Sequence, residues 1–185
     1  MEQKNSFFSI YKKDIFKLFT THFVMALFGL MIYLPWNQEK EYGKILAVVC
    51  SFIAILFYAY LVDLHIWDLG AKDYLNSSSR GTKINYWTGV LLGLVAAIPS
   101  FVLGLLLNFF VMFQTYEWAI NACYLTELIT KTWEAPFMGI QRILFPDFYW
   151  YYLITPFIPV LFSGLAYFLG AKNIIVIPRP KRSKE

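Results

Sequence analysis

Four apolar runs, each about long enough to cross a bilayer, dominate this chain: residues 18–36, 45–66, 88–113 and 150–169. A spanning helix needs about 20 mostly apolar residues. In lipid the backbone must satisfy its own hydrogen bonds, which makes the helix the natural form for such runs. The expected fold is therefore all-α: a single polytopic membrane domain over residues 1–185 with four transmembrane helices. Composition agrees, since 15% of residues are charged against about 25% in soluble domains. No short apolar stretch with a small-residue cleavage site stands at the N-terminus, so the first run is expected to remain as an anchor. The expected location is the cell membrane, multi-pass. Cys50 lies in an apolar run and Cys123 in a connection, so no disulfide framework is indicated.

The third run is long, and Pro99 stands near its middle. Proline frees the carbonyl four residues back and bends a helix. Extra length with a kink fits one span better than two.

Orientation follows from where lysine and arginine fall. Lys4, Lys12, Lys13 and Lys17 precede the first run. Lys72, Arg80 and Lys83 lie between the second and third, and Lys172, Arg179, Lys181, Arg182 and Lys184 follow the fourth. The opposite side holds only Lys40, Lys44, Lys131 and Arg142. Twelve against four places both termini in the cytoplasm, N-in and C-in. Trp36, Trp118, Trp133 and the run 148–152 then form an outer aromatic belt, with Tyr86 and Trp87 at the inner interface.

Residues 6–19 space Phe7, Phe8, Tyr11, Ile15, Leu18 and Phe19 at helical intervals, with Lys12, Lys13 and Lys17 between them. This pattern predicts an amphipathic interfacial helix on the cytoplasmic leaflet, leading into the first span. The connection 114–149 is expected to form one or two short interfacial helices on the outer surface, divided at Pro136. The segment 178–185, PRPKRSKE, reads as a disordered basic tail suited to anionic lipid.

The stretch LVDLHIWDLGAKD, residues 61–73, gathers three aspartates, a histidine and a lysine directly after an apolar run. Its LGAKD (69–73) recurs as LGAKN (169–173), and FIAILF (52–57) has a counterpart in FIPVLF (157–162). These words allow a duplicated hairpin, as in transporters with parallel repeats. Glycine past a helix end adopts a left-handed conformation easily, and lysine complements the helix dipole. Gly70/Lys72 and Gly170/Lys172 are thus expected to cap two cytoplasmic exits. Asp63, His65 and Asp68 lie within two turns of the first cap, where water and local pairing satisfy them. A functional reading makes the same residues, with His22, an acid–base or metal site.

Polar groups inside spans are expensive and usually meaningful. The candidates are His22 near the start of the first span, Ser100 after the Pro99 kink, Asn108 farther along, and Thr155 before Pro156 and Pro159. Asn108 also suits an interhelical hydrogen bond, and Gly89, Gly93, Ala96 and Ala97 a packing seam. No Asp, Glu, Lys or Arg lies deep in any of the four runs, which argues against a proton-coupled pump. Two histidines lack HExxH spacing, SSSRGTK (77–83) lacks the phosphate-loop frame, and GxSxG is absent. No cofactor and no metal is expected, and nothing calls for nucleic acid.

The WDLGAKD stretch, with the polar loop and long apolar span after it, resembles uncharacterised small multi-span membrane proteins of bacteria over residues 61–105. That resemblance carries no activity with it. The leading expectation is a non-catalytic integral subunit that packs against another membrane protein or itself. One alternative is a small-solute or lipid transporter working as an oligomer, its path lined by Pro99, Asn108, Thr155, Pro156 and Pro159. A second is a lipid-modifying enzyme at the cytoplasmic leaflet, using Asp63, His65 and Asp68 with His22.

Overall fold

The computed structural model describes residues 7–35, 40–81, 83–144 and 149–176. The expected basic tail 178–185, Trp36 and Phe148 of the aromatic belt, and Lys4 lie outside the described residues. The described chain forms α1 (Phe7–Tyr33), α2 (Glu41–Arg80), α3 (Thr88–Ala96), α4 (Ile98–Met112), α5 (Glu117–Trp133), a 3₁₀ turn (Ala135–Phe137), α6 (Met138–Leu144), α7 (Tyr151–Ile154) and α8 (Phe157–Ala171). There is no strand among the described residues. Three helical stretches are long and apolar enough to cross a membrane: α1, α2 and the α7–α8 pair. The α3–α4 pair makes a fourth if its bend is counted within one span.

That bend measures 49°. Ala97 separates the two helices, and Pro99 begins the second. Without an N–H, Pro99 cannot bond the Val95 carbonyl, so the ladder breaks there. The kink read from the sequence is present, and it is sharper than a simple curve.

Helix α1 is continuous from Phe7 to Tyr33, so residues 7–19 form no separate in-plane helix. The reason is tertiary. Tyr11 donates to Asp73 Oδ2 of α2 at 3.0 Å, and Leu18 is buried. The early turns of α1 are held against the bundle on one side, while Phe8, Ile10 and Phe16 stay exposed on the other.

Helix α2 runs 40 residues, about 60 Å at 1.5 Å per residue, roughly twice the hydrocarbon thickness. It passes through Gly70 unbroken and ends at Gly81, whose φ of 65° is left-handed and whose N–H bonds the Ser77 carbonyl. The expected exit cap at Gly70 is therefore wrong, and so is its counterpart at Gly170, which lies within α8. The left-handed residue after α8 is Asn173, at φ 55°, which asparagine tolerates better than most residues. The two glycines instead allow α2 and α8 to cross closely. A Cβ on Gly70 would run into the Tyr167 carbonyl, and one on Gly170 into the Trp67 carbonyl. The repeated LGAK words face each other across this crossing. On α3, Gly89 and Gly93 pack against Tyr167 and Ser163 of α8, forming the small-residue seam. The Ser163 hydroxyl spans it, donating to the Gly89 carbonyl at 2.7 Å.

The connection 114–149 forms two helices divided at Pro136, as expected, and α5 turns back antiparallel to α4. Phe110 meets Trp118, Leu107 packs with Cys123, and the Trp133 indole donates to Ser100 Oγ at 2.8 Å. The 3₁₀ turn and α6 then wedge between α1 and α2. Gly29 lies against Ala135 and Pro136, and Gly139 against Ala47 and Ser51, whose hydroxyl accepts the Gly139 N–H at 2.8 Å. Two glycines and a serine thus admit backbone where an extended apolar helix would not fit.

Candidate functional site

The wedge carries Glu134 to the heart of the bundle. It is 1% exposed, at the junction of α5 and the 3₁₀ turn. Both carboxyl oxygens are buried without a hydrogen-bond partner among the described residues. An isolated ionised carboxylate is too costly to bury, so such a group takes the neutral form instead. Burial pushes the Glu134 carboxyl above its ordinary range, and the nearby Ser100 hydroxyl offsets part of that rise. Ser100 stops short of hydrogen-bond geometry to Glu134, while its oxygen accepts from Trp133.

The groups around Glu134 come from four other helices. His22 of α1 is buried, 15 residues from the start of its helix and 11 from the end. Its Nδ1 lies 3.1 Å from the Tyr58 hydroxyl of α2, the donor being set by the tautomer. The His22 ring also packs on Trp133, with centroids 4.8 Å apart. Tyr58 in turn packs edge-on to Phe137. Glu134 acts electrostatically on Tyr58, Tyr151 and Tyr152. The imidazole Nε2, both carboxyl oxygens and the Tyr152 hydroxyl are buried without a hydrogen-bond partner among the described residues. Buried polar atoms are normally paired, so the orphaned His22 Nε2 and both Glu134 oxygens mark this layer as unusual.

Two further polar layers lie toward the other end of α2. His65 Nε2 is 3.1 Å from Asp14 Oδ1 of α1, an ion-pair distance without hydrogen-bond alignment. Asp73 Oδ2 accepts from Tyr11 at 3.0 Å and from Tyr167 at 2.8 Å, joining α1, α2 and α8. Asp14 precedes His22 by eight residues, a rise of about 12 Å. A void of about 10 Å³, about the room one water needs, lies between these layers. It is lined by His22 and Tyr58 on one side and by Leu18 and Val62 toward the other.

The residues singled out in the sequence are thus distributed over several layers. His22 and His65 do not meet, because their partners are Tyr58 and Asp14. Asp63 and Asp68 are half-buried on α2, two residues before and three after His65. Asn108 donates to the Gly104 carbonyl of its own helix at 2.8 Å and to the Tyr149 carbonyl at 3.2 Å, tying α4 to the turn before α7. Thr155 is buried and donates to the Tyr151 carbonyl. Pro99 lines a cleft on the outside of the bundle, Pro156 is buried at the start of α8, and Pro159 faces the void beside His22. Among the described residues no three His, Cys, Asp or Glu groups converge as a metal site.

Glu134, Tyr58, Ser100 and Trp133 are the members of the central layer that the sequence reading did not assemble. A signal was present: Glu134 is a lone acid before an apolar Ala–Pro–Phe–Met–Gly stretch. It lies outside all four long apolar runs, so a search of those runs for charge passes it by. Comparisons with protein-family models, with curated proteins and with solved structures found no match.

Proposed function

We propose that this is a proton-translocating transporter of the cell membrane, with Glu134 as the group that takes up and releases the proton. One observation carries the reading: a fully buried carboxyl without a partner, set beside the His22–Tyr58 pair where the third span is broken. Ionisable residues within membrane bundles commonly mark ion and proton pathways, and transporters place such sites at discontinuous helices. The layers at His65/Asp14 and Asp73 extend toward one face, and a void large enough for one water opens beside His22 and Tyr58 on the way to them.

The distribution of basic residues supports an N-in, C-in orientation, in which the Asp73 layer faces the cytoplasm. A cysteine at Asn76 should resist an impermeant thiol reagent in intact cells, as should one at Ser183. A cysteine at Gln38 should react. Labelling of Ser183 from outside would reverse the path.

The lipid-enzyme reading needs Asp63, His65 and Asp68 to act together, but His65 is engaged with Asp14. The subunit reading rests on an apolar exterior, which any membrane bundle has. Neither accounts for Glu134.

The test is proton flux. Purified protein in liposomes, under a potassium diffusion potential, should change the internal pH faster than protein-free liposomes do. A wild-type rate equal to that of empty liposomes overturns the reading.

A further inference from the structure

On the outer side of α1, a cleft of about 860 Å³ opens between its early turns and the α3–α4 break. Its floor is apolar: Phe16 and Phe19 of α1 face Ala96, Ile98 and Pro99. Phe16 is 69% exposed and Ile98 52%, so the cleft is open to whatever surrounds the bundle. At its N-terminal end stand Lys12 and Lys13, both exposed. Neither forms an ion pair among the described residues, and no acidic side chain lines the cleft. The acid of this helix, Asp14, is turned to α2 and paired with His65. Lys12 and Lys13 thus line the cleft, whereas Asp14 and Lys17 act on His65 on the side of α2.

We infer that this cleft binds one anionic phospholipid, its phosphate against Lys12 and Lys13 and an acyl chain along Phe16, Phe19 and Ile98. The dimensions agree. Lys12 and Phe19 are seven residues apart, about 10 Å along the helix, so a chain leaving a phosphate at Lys12 reaches the kink at Pro99. The Pro99 break creates the hollow, because a straight third span would pack against α1 there. Basic pockets between membrane helices are a recurrent way of holding acidic lipid headgroups. Two cations and an acidic-free apolar trough select an anionic amphiphile over a zwitterionic one. This is separate from binding at the basic tail 178–185, and it does not depend on proton transfer.

The test is native mass spectrometry of the full chain from nanodiscs of phosphatidylglycerol and phosphatidylcholine in equal amounts. The wild type should retain one phosphatidylglycerol with roughly tenfold preference, as two basic contacts allow. Lys12→Glu/Lys13→Glu should lose that preference, while Lys181→Glu/Lys184→Glu in the tail should keep it. Ile98→Trp, which fills the trough, should lower retention of both lipids. Thermal unfolding of each variant in detergent separates lost binding from lost fold. Equal retention of the two lipids by the wild type overturns the assignment. So does preference that survives the double lysine change or vanishes with the tail change, or a lipid-free dimer that only the trough variant disrupts.

Discussion

Gly70→Leu should leave little folded protein. Its Cβ would meet the Tyr167 carbonyl and the Ala171 amide, both backbone atoms that cannot swing aside. Overpacking a tight interface costs about 1–3 kcal/mol, more when backbone must move, and close approach is what holds membrane helices together. The expected loss is therefore at the top of that range, seen as reduced monodisperse yield and early thermal unfolding in detergent. Gly170→Leu should match it, because its neighbour is the Trp67 backbone on the reciprocal side. Gly164→Ala should be mild, since what it meets first is the Val90 side chain. Gly70→Asn is the informative control. Asparagine tolerates a left-handed cap but not a helix crossing, so it should fail like leucine. A stable Gly70→Asn protein would restore the cap and contradict the crossing.

Glu134→Gln should abolish proton flux while preserving the fold. Glutamine keeps the shape and has no titratable proton, so flux should drop about a hundredfold or more, the scale on which losing a positioned proton-transfer group acts. Stability should move the other way. Burial raises the carboxyl in the folded protein above the roughly 4.3 of a free glutamate. The folded state thus binds the proton more tightly than the unfolded one. Wild-type stability should be full below about pH 4.3, fall as pH rises through the raised folded value, and then level off. Thermal unfolding in detergent across this range should show that slope in the wild type and lose it in Glu134→Gln. Glu134→Asp, one methylene shorter, should retain part of the flux. A glutamine variant with wild-type flux would remove Glu134 from the mechanism.

The long apolar helices were legible because a bilayer would impose a length and an apolar composition that 19–26-residue runs display directly. The Pro99 bend was legible for a similar reason, since proline acts on its own helix. The Gly89 and Gly93 seam and the Asn108 tie also followed from residue type. What failed was what depends on a distant partner. Gly70 and Gly170 have the local look of caps, and only the crossing of α2 with α8 shows that each makes room for the other. The fold-back of α5 was hidden by its 17-residue length and its charges at Glu117, Glu127 and Lys131. That length falls short of a span, and such charges suit an interface. Glu134 was missed for the same reason: its burial is conferred by α1, α2 and α4, none of which adjoins it in sequence.

Infrared difference spectroscopy of the reconstituted protein, stepped from acidic to alkaline pH, tests the role of Glu134 most directly. A neutral carboxyl in a dry setting has a resolved C=O stretch that shifts in heavy water. The account predicts such a band at acidic and near-neutral pH, lost at higher pH and absent from Glu134→Gln at every pH. A Glu134-dependent band missing at acidic pH, or one lost already in the ordinary glutamate range near pH 4.3, would contradict it.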